Sequence, residues 1–280
     1  MKLPDIFAAP SGVLRVTAPT EGGVVPTDAD TILSIALDIG EEILRCGGEV
    51  HRVEDTVVRV CRAYGAASAE VFAITSLIIA EIKMPDGTGV AHTRRVPGAY
   101  NHMARLEACN ALSRAVCQNP MSVEEFTARM ETVRHYRPVP EWMHYVAAVL
   151  AVGGLSVFFG GTLRDGLAAA VIGLFMTLIS RVSPRRMGGF MRTLVSSLVA
   201  GLLAVLAVKG GVGQNVDKII MGTIMLEIPG LSFGNALRDM LGGDTLAGSM
   251  RFVQAILQAL IIAIGYMSAL AIGGWFGGVV

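Results

Sequence analysis

From Trp142 onward the chain runs through five apolar stretches with very few charges between them, and nothing else in the sequence limits the fold so strongly. The first, from Trp142 to Leu163, carries no full charge and opens on Trp142, His144 and Tyr145, as a segment entering a bilayer through its interface does. The second (166–180) and third (193–208) have 15 and 16 residues, short against the roughly 20 that a spanning helix needs. Arg164, Arg181 and Arg192 can lengthen them, because long basic side chains reach back to the headgroups. The last stretch, 252–280, holds 29 residues without a charge. Buried helices of a soluble protein would need charged faces that these stretches lack. The expected spans are about 142–163, 164–181, 192–208, 218–238 and 251–278.

Charge divides the chain in the same place. Residues 1–141 hold 14 Lys/Arg and 18 Asp/Glu, whereas residues 142–280 hold 9 and 5. Of the 33 glycines, 23 lie after residue 141, which suits membrane helices that approach closely through small residues.

The fourth stretch differs from the others. Between Lys218 and Asp239 it carries an acid, Glu227, near its middle, with Pro229-Gly230 directly after it. Proline inside a helix removes a backbone hydrogen bond and clashes with the preceding turn. In lipid the freed groups must find protein partners or line a wet cavity. A carboxylate at that depth is expected to face the bundle interior. A broken helix beside a mid-membrane acid points to a transport site. The competing reading is a kinked helix whose Glu227 sits near an interface and pairs with an arginine. Gly230 and Gly234 form a GxxxG pattern, and Asn235, Arg238 and Asp239 continue a polar face before the Gly242-Gly243-Asp244 loop.

Ahead of the spans lies a small domain, expected over 28–137. A helical stripe runs through Ile32, Ile35, Ile39, Ile43 and Cys46, and Thr27 to Asp30 reads as its cap. A second stripe follows at Val50, Val53, Val57, Val60 and Tyr64. Residues 70–83 read as extended, 90–96 as a returning strand, and two helices follow, the last capped by Ser122 and Glu125. The expected fold is therefore an α-helical membrane protein with five transmembrane helices, the fourth broken, behind a small soluble α+β domain. Residues 1–27, rich in Pro and Gly, read as a disordered lead-in without a signal peptide. The four cysteines show no metal spacing and read as reduced core thiols.

The second helix concentrates charge in Glu49, His51, Arg52, Glu54 and Asp55. His51 and Glu54 share a face, so acid/base or metal chemistry is one reading, and a solvated face with local ion pairs is the other. No metal site is expected, since no further ligand stands nearby in the sequence. His92 and His102 stay undecided.

Basic residues set the orientation. With the small domain in the cytosol, the inner loops hold Arg181, Arg185, Arg186, Arg192, Arg238 and Arg251, against Arg164, Lys209 and Lys218 outside, as the positive-inside rule requires. The C-terminus then lies outside. An odd number of spans inverts a second such unit, so the chain reads as one half of an inverted-repeat transporter or as a homo-oligomer.

Two segments resemble a known family. GEEILRCGGEVHRVEDTVVRVCRAYG is similar to the soluble-domain motif of the threonine/serine exporter family, and IPGLSFGNALRDMLGGDTLAGSMR to its Pro-Gly segment. The order of parts agrees over about residues 31–280, and the length fits split-type (YjjP-like) members, which pair five spans with a small all-helical membrane subunit. The resemblance implies a non-enzymatic exporter of small polar metabolites, either threonine and serine or dicarboxylates such as succinate. It implies a place in the bacterial inner membrane, with no cofactor and no nucleic-acid partner. It carries over Glu49, Arg52, Glu54 and Asp55, and Pro229, Gly230, Asn235, Arg238, Asp239, Gly243 and Asp244. Glu227 rests on its cost in lipid, and His51 on its place beside Glu54. The alternatives are a membrane-anchored enzyme or sensor working through the soluble domain, and a channel.

Overall fold

The computed structural model describes residues 28–98, 100–136, 139–182 and 188–275. The expectations for residues 1–27 and for the end of the last span lie outside these. The chain divides into two compact units. One holds the described residues up to 136 together with Arg238–Ala247, and the other holds the rest. The sequence reading ends the small domain at 137, so the return of 238–247 to it is an addition.

The first unit contains α1 (Ala29–Arg45), α2 (Val50–Ala63), β1 (Ser68–Ile74), β2 (Leu77–Lys83), β3 (Gly89–Arg95), α3 (Met103–Gln118) and α4 (Val123–Arg134). Its strands form an antiparallel meander in the order β1-β2-β3. The extended run expected over 70–83 is in fact a hairpin that reverses at Thr75-Ser76, with Ile74 opposite Leu77. Alternation along β2 sends Ile78, Ala80 and Ile82 into the core with Ile32, Leu33, Ile39 and Ile43 of α1 and Val53, Val57 and Val60 of α2. Glu42 is buried there, accepting from the Tyr100 hydroxyl at 3.0 Å and pairing with Arg105 at 3.4 Å. The cysteines are free thiols. Burial pushes Cys46 up to about 11 and Cys61 up to about 12, which keeps them protonated and unreactive.

Capping follows the expected chemistry with one shift. Ser122 accepts from the Glu125 N–H and starts α4. For α1 the cap is Asp28, which accepts from the Thr31 N–H at 2.9 Å, while Thr27 lies outside the described residues. His102 caps α3 by accepting from the Arg105 N–H, and His92 pairs with Asp30.

The second unit is helical: α5 (Glu141–Phe158), α6 (Leu163–Val182), α7 (Gly189–Lys209), α8 (Val216–Ile224), the first part of α9 (Gly230–Leu241) and most of α10 (Thr245–Trp275). Among the described residues four helices (α5, α6, α7 and α10) are long and apolar enough to cross a membrane, against the five spans expected. The fourth apolar stretch accounts for the difference. It folds as α8 and α9, roughly 14 Å and 18 Å long at 1.5 Å per residue, neither of which crosses a 30 Å core alone. The second and third stretches, short in sequence, become helices of 20 and 21 residues by taking in their charged ends.

Polarity in this unit is inverted relative to a water-soluble fold. Leu150, Leu167, Leu206, Leu260 and Met267 are exposed, while Asp165, Ser156, Ser197 and Thr223 are wholly buried. Such a surface suits a solvent of lipid chains. Asp165 shows how the interior is satisfied. It accepts from the Gln214 and Asn215 N–H groups at 2.6 and 2.9 Å, the Asn215 amide at 2.9 Å, and the Thr162 N–H and hydroxyl. Close helix packing rests on Gly222 of α8, where a Cβ would stand 2.6 Å from the Val152 carbonyl of α5. Among the described residues nothing packs on the GxxxG face, since a Cβ at Gly230 or Gly234 would meet nothing within 4 Å.

Two outcomes follow. Gly222→Leu forces a side chain against the α5 backbone and lowers stability by about 1–3 kcal/mol or more, read as a reduced melting temperature in detergent. Asp28→Ala costs about 1 kcal/mol near pH 7. The cap bond holds the Asp28 carboxyl below its usual range, so its stabilisation is present above about pH 4 and fades as the pH falls further. The two proteins' melting temperatures therefore converge on acidification.

Candidate functional site

The break in the fourth stretch occupies residues 225–229. α8 ends as the Glu227 and Ile228 N–H groups close back on the Ile224 carbonyl at 3.0 and 3.1 Å. Pro229 then lies just ahead of α9, and its carbonyl accepts the first bond of that helix, from the Phe233 N–H at 2.9 Å. Proline suits a helix start, where its missing N–H costs nothing. The Glu227 carbonyl, left over at the break, accepts from the Gln258 side chain of α10 at 3.2 Å.

Beside this break lies a cavity of about 310 Å³. α6 contributes Thr177 and Ser180, α7 contributes Arg192, Thr193 and Ser196, α10 contributes Gln258, and the break contributes Glu227. Ser196 shares this lining with Glu227, whose Oε2 atom is buried without a hydrogen-bond partner. An acid, a guanidinium and several hydroxyls thus share one pocket inside an apolar helical unit. This chemistry suits a small polar solute with a charged end at each side. Pro229, Gly230 and Asn235 are not among the residues lining it. Arg192, expected to lengthen the third stretch and to orient the chain, does line it.

The remaining residues from the sequence reading gather elsewhere, in the α+β unit. α2 begins after Glu49, whose side chain makes no capping bond. Its first N–H, that of Val50, instead donates to the buried Asp239 carboxylate at 3.2 Å. An anion at a helix N-terminus is favoured by the helix dipole. Arg238 forms an ion pair with Glu49. α9 ends in a Schellman turn, with the Asp244 N–H on the Asp239 carbonyl and the Gly243 N–H on the Met240 carbonyl. Gly243 takes φ +103°, a conformation that side chains resist.

That turn places Asp244 near His51 and Glu54, with one donor atom from each of the three within 4.8 Å of the others. Glu54 accepts from the Ala73 N–H at 2.8 Å. Its carboxyl is raised above the usual range, first by burial and also by the Asp244 charge. The sequence points to no further ligand near His51 and Glu54, and it is the tertiary fold that brings Asp244 beside them. Arg52 is exposed, and Asp55 pairs with Arg59 at 2.7 Å on the outer face of α2. Of the residues expected at one membrane site (Glu227, Pro229, Gly230, Asn235, Arg238, Asp239 and Asp244), Glu227 lines the cavity, Arg238, Asp239 and Asp244 belong to the α+β unit, and Pro229, Gly230 and Asn235 fall in neither group.

Known proteins resemble this chain over most of its length. The family model described as "Putative threonine/serine exporter" matches residues 34–273. A Klebsiella aerogenes protein, "Probable succinate transporter subunit YjjP", is 24% identical over 238 residues, covering 83% of this chain and 90% of that protein. An uncharacterized protein of Schizosaccharomyces pombe is 24% identical over 181 residues, covering 61% of this chain, and the match spans 22% of that longer protein. No solved structure matches the chain.

Asp239→Ala removes a charged acceptor from the start of α2. It is expected to destabilise the α+β unit by about 1.5–3 kcal/mol, seen as faster limited proteolysis around α2 in the full chain.

Proposed function

This chain belongs to the threonine/serine exporter family, and on that footing we propose that it is a subunit of a secondary exporter. It moves small polar metabolites, threonine and serine or dicarboxylates such as succinate, out of the cell across the bacterial inner membrane. The observation that carries this reading is the polar cavity at the broken fourth stretch, where Glu227 and Arg192 share one lining. Arg192 would hold a substrate carboxylate, since a guanidinium donates in pairs to such a group. Glu227 would take the coupling proton or a substrate amine. Transport sites built at interrupted helices near the midplane use freed backbone and side-chain groups in this way.

Several features support the details. The basic residues of the second and fourth loops favour a cytosolic α+β unit, and with α8 and α9 together making a fifth crossing the C-terminus lies outside. The Klebsiella relative is described as a transporter subunit, and we extend that to this chain as a need for a second, all-helical membrane subunit, or a second copy, to complete the pathway. A membrane-anchored enzyme or sensor is the competing reading, and the His51, Glu54 and Asp244 cluster is the feature that favours it.

The test is efflux of preloaded radiolabelled threonine and succinate from a strain lacking its own copy and complemented with this chain. Glu227→Gln keeps the shape but loses the charge, and the initial rate is expected to fall roughly tenfold or more, the equivalent of one charged hydrogen bond. Unchanged efflux from that variant removes Glu227 from the transport step. Complementation that restores no efflux of either solute favours the sensor or enzyme.

A further inference from the structure

The α+β unit holds an arrangement that export through the cavity does not use. His51 and Glu54 stand three residues apart on α2, and the turn after α9 brings Asp244 to the same place from 190 residues away. Each member is fixed independently. Asp244 is set by the Schellman turn, through its N–H on the Asp239 carbonyl at 2.9 Å. Its Oδ2 is closed off from solvent and takes part in no hydrogen bond. Glu54 has one oxygen held by the Ala73 N–H at 2.8 Å, which orients the carboxylate as outer-sphere donors orient metal ligands. His51 is exposed, so the cluster is open to solutes.

We propose that His51, Glu54 and Asp244 bind one divalent transition-metal cation of the Zn²⁺ or Mn²⁺ kind. One imidazole and two carboxylates make a mixed N/O donor set, which such ions prefer, whereas Mg²⁺ and Ca²⁺ favour oxygen alone. Metal–donor bonds of about 2.0–2.2 Å hold donors roughly 3–4 Å apart. A spread within 4.8 Å reaches that range by small side-chain rotations. The dication balances two carboxylates that otherwise repel each other, and water fills its remaining positions. Bound there, it clasps the turn between α9 and α10 to α2, next to the Glu49–Arg238 ion pair and the Val50–Asp239 bond. This inference stands independently of the transported solute.

The experiment uses the full-length chain in detergent, stripped with a chelator and titrated calorimetrically with ZnCl₂, with MnCl₂ as competitor. One Zn²⁺ per chain is expected. His51→Ala and Asp244→Asn should each weaken it about tenfold or more, while His135→Ala, at the exposed histidine that follows α4, leaves it unchanged. Zn²⁺ should also raise the melting temperature of the wild type and not of His51→Ala. Because His51 is exposed, that variant keeps the fold if Asp244→Asn does not. Absence of stoichiometric binding, or equal affinity in His51→Ala, overturns the proposal.

Discussion

Every polar group withdrawn from water in the helical unit has to be met by another group of the protein, and the architecture there follows from that demand. Asp165 is wholly buried and is tolerable because five donors converge on it from its own helix start and from the turn before α8. Thr223 and Tyr266 meet each other through their hydroxyls at 3.1 Å. Where α8 stops, a carbonyl is left over, and Gln258 reaches it from α10. Among the described residues Ser156 Oγ on α5 is buried without a partner as well, but at Glu227 the buried atom without a partner is a carboxylate oxygen, Oε2, and it lies beside the cavity. An unsatisfied acceptor in a low-dielectric interior costs kilocalories, so its persistence beside a cavity is what distinguishes this place from the rest of the unit. A proton, an amine or another cation would close the account.

The α+β unit is built differently, with an apolar core inside and charged side chains on its outer faces. Its unusual feature is the inclusion of residues 238–247. Two pairings tie that segment to the start of α2, Arg238 with Glu49 and Asp239 with the Val50 N–H, and they bring Asp244 near Glu54 and His51. Two motifs separated by most of the chain are thus halves of one structural element. Charge at each position has a local reason. Glu49 leaves its helix uncapped, Asp239 supplies the missing anion, and Gly243 permits the turn that delivers Asp244.

Much of this was legible from the chain alone. The apolar stretches, the helical stripes of α1 and α2 and the Ser122 cap all rest on local periodicity or short-range chemistry, and the structure places helices at each of them. The hairpin at Thr75-Ser76 was not, because it lacks the Gly, Asn or Pro that marks a tight reversal. The break near Pro229 was visible, yet its outcome as two short helices was not, for proline signals a start as readily as a kink. The site was half legible. Glu227 stands out by its cost in lipid. Arg192, Thr177 and Ser196 do not, since serine and threonine are common in such helices and an arginine near a helix end reads as an anchor. Nothing local in the sequence links Asp244 to His51, because that neighbourhood is created only by tertiary folding.

The central claim is that the space beside Glu227 is a water-accessible pocket inside a lipid-facing bundle. Cysteine accessibility tests it most directly. Cys46, Cys61 and Cys109 are buried, so Cys117 is the native thiol to replace before adding single cysteines at Ser196 and at exposed Leu260. The account predicts that Ser196→Cys reacts with a water-soluble thiol reagent in membranes, that threonine or succinate slows the reaction, and that Leu260→Cys stays unreactive. An unreactive Ser196→Cys beside a reactive Leu260→Cys would contradict it.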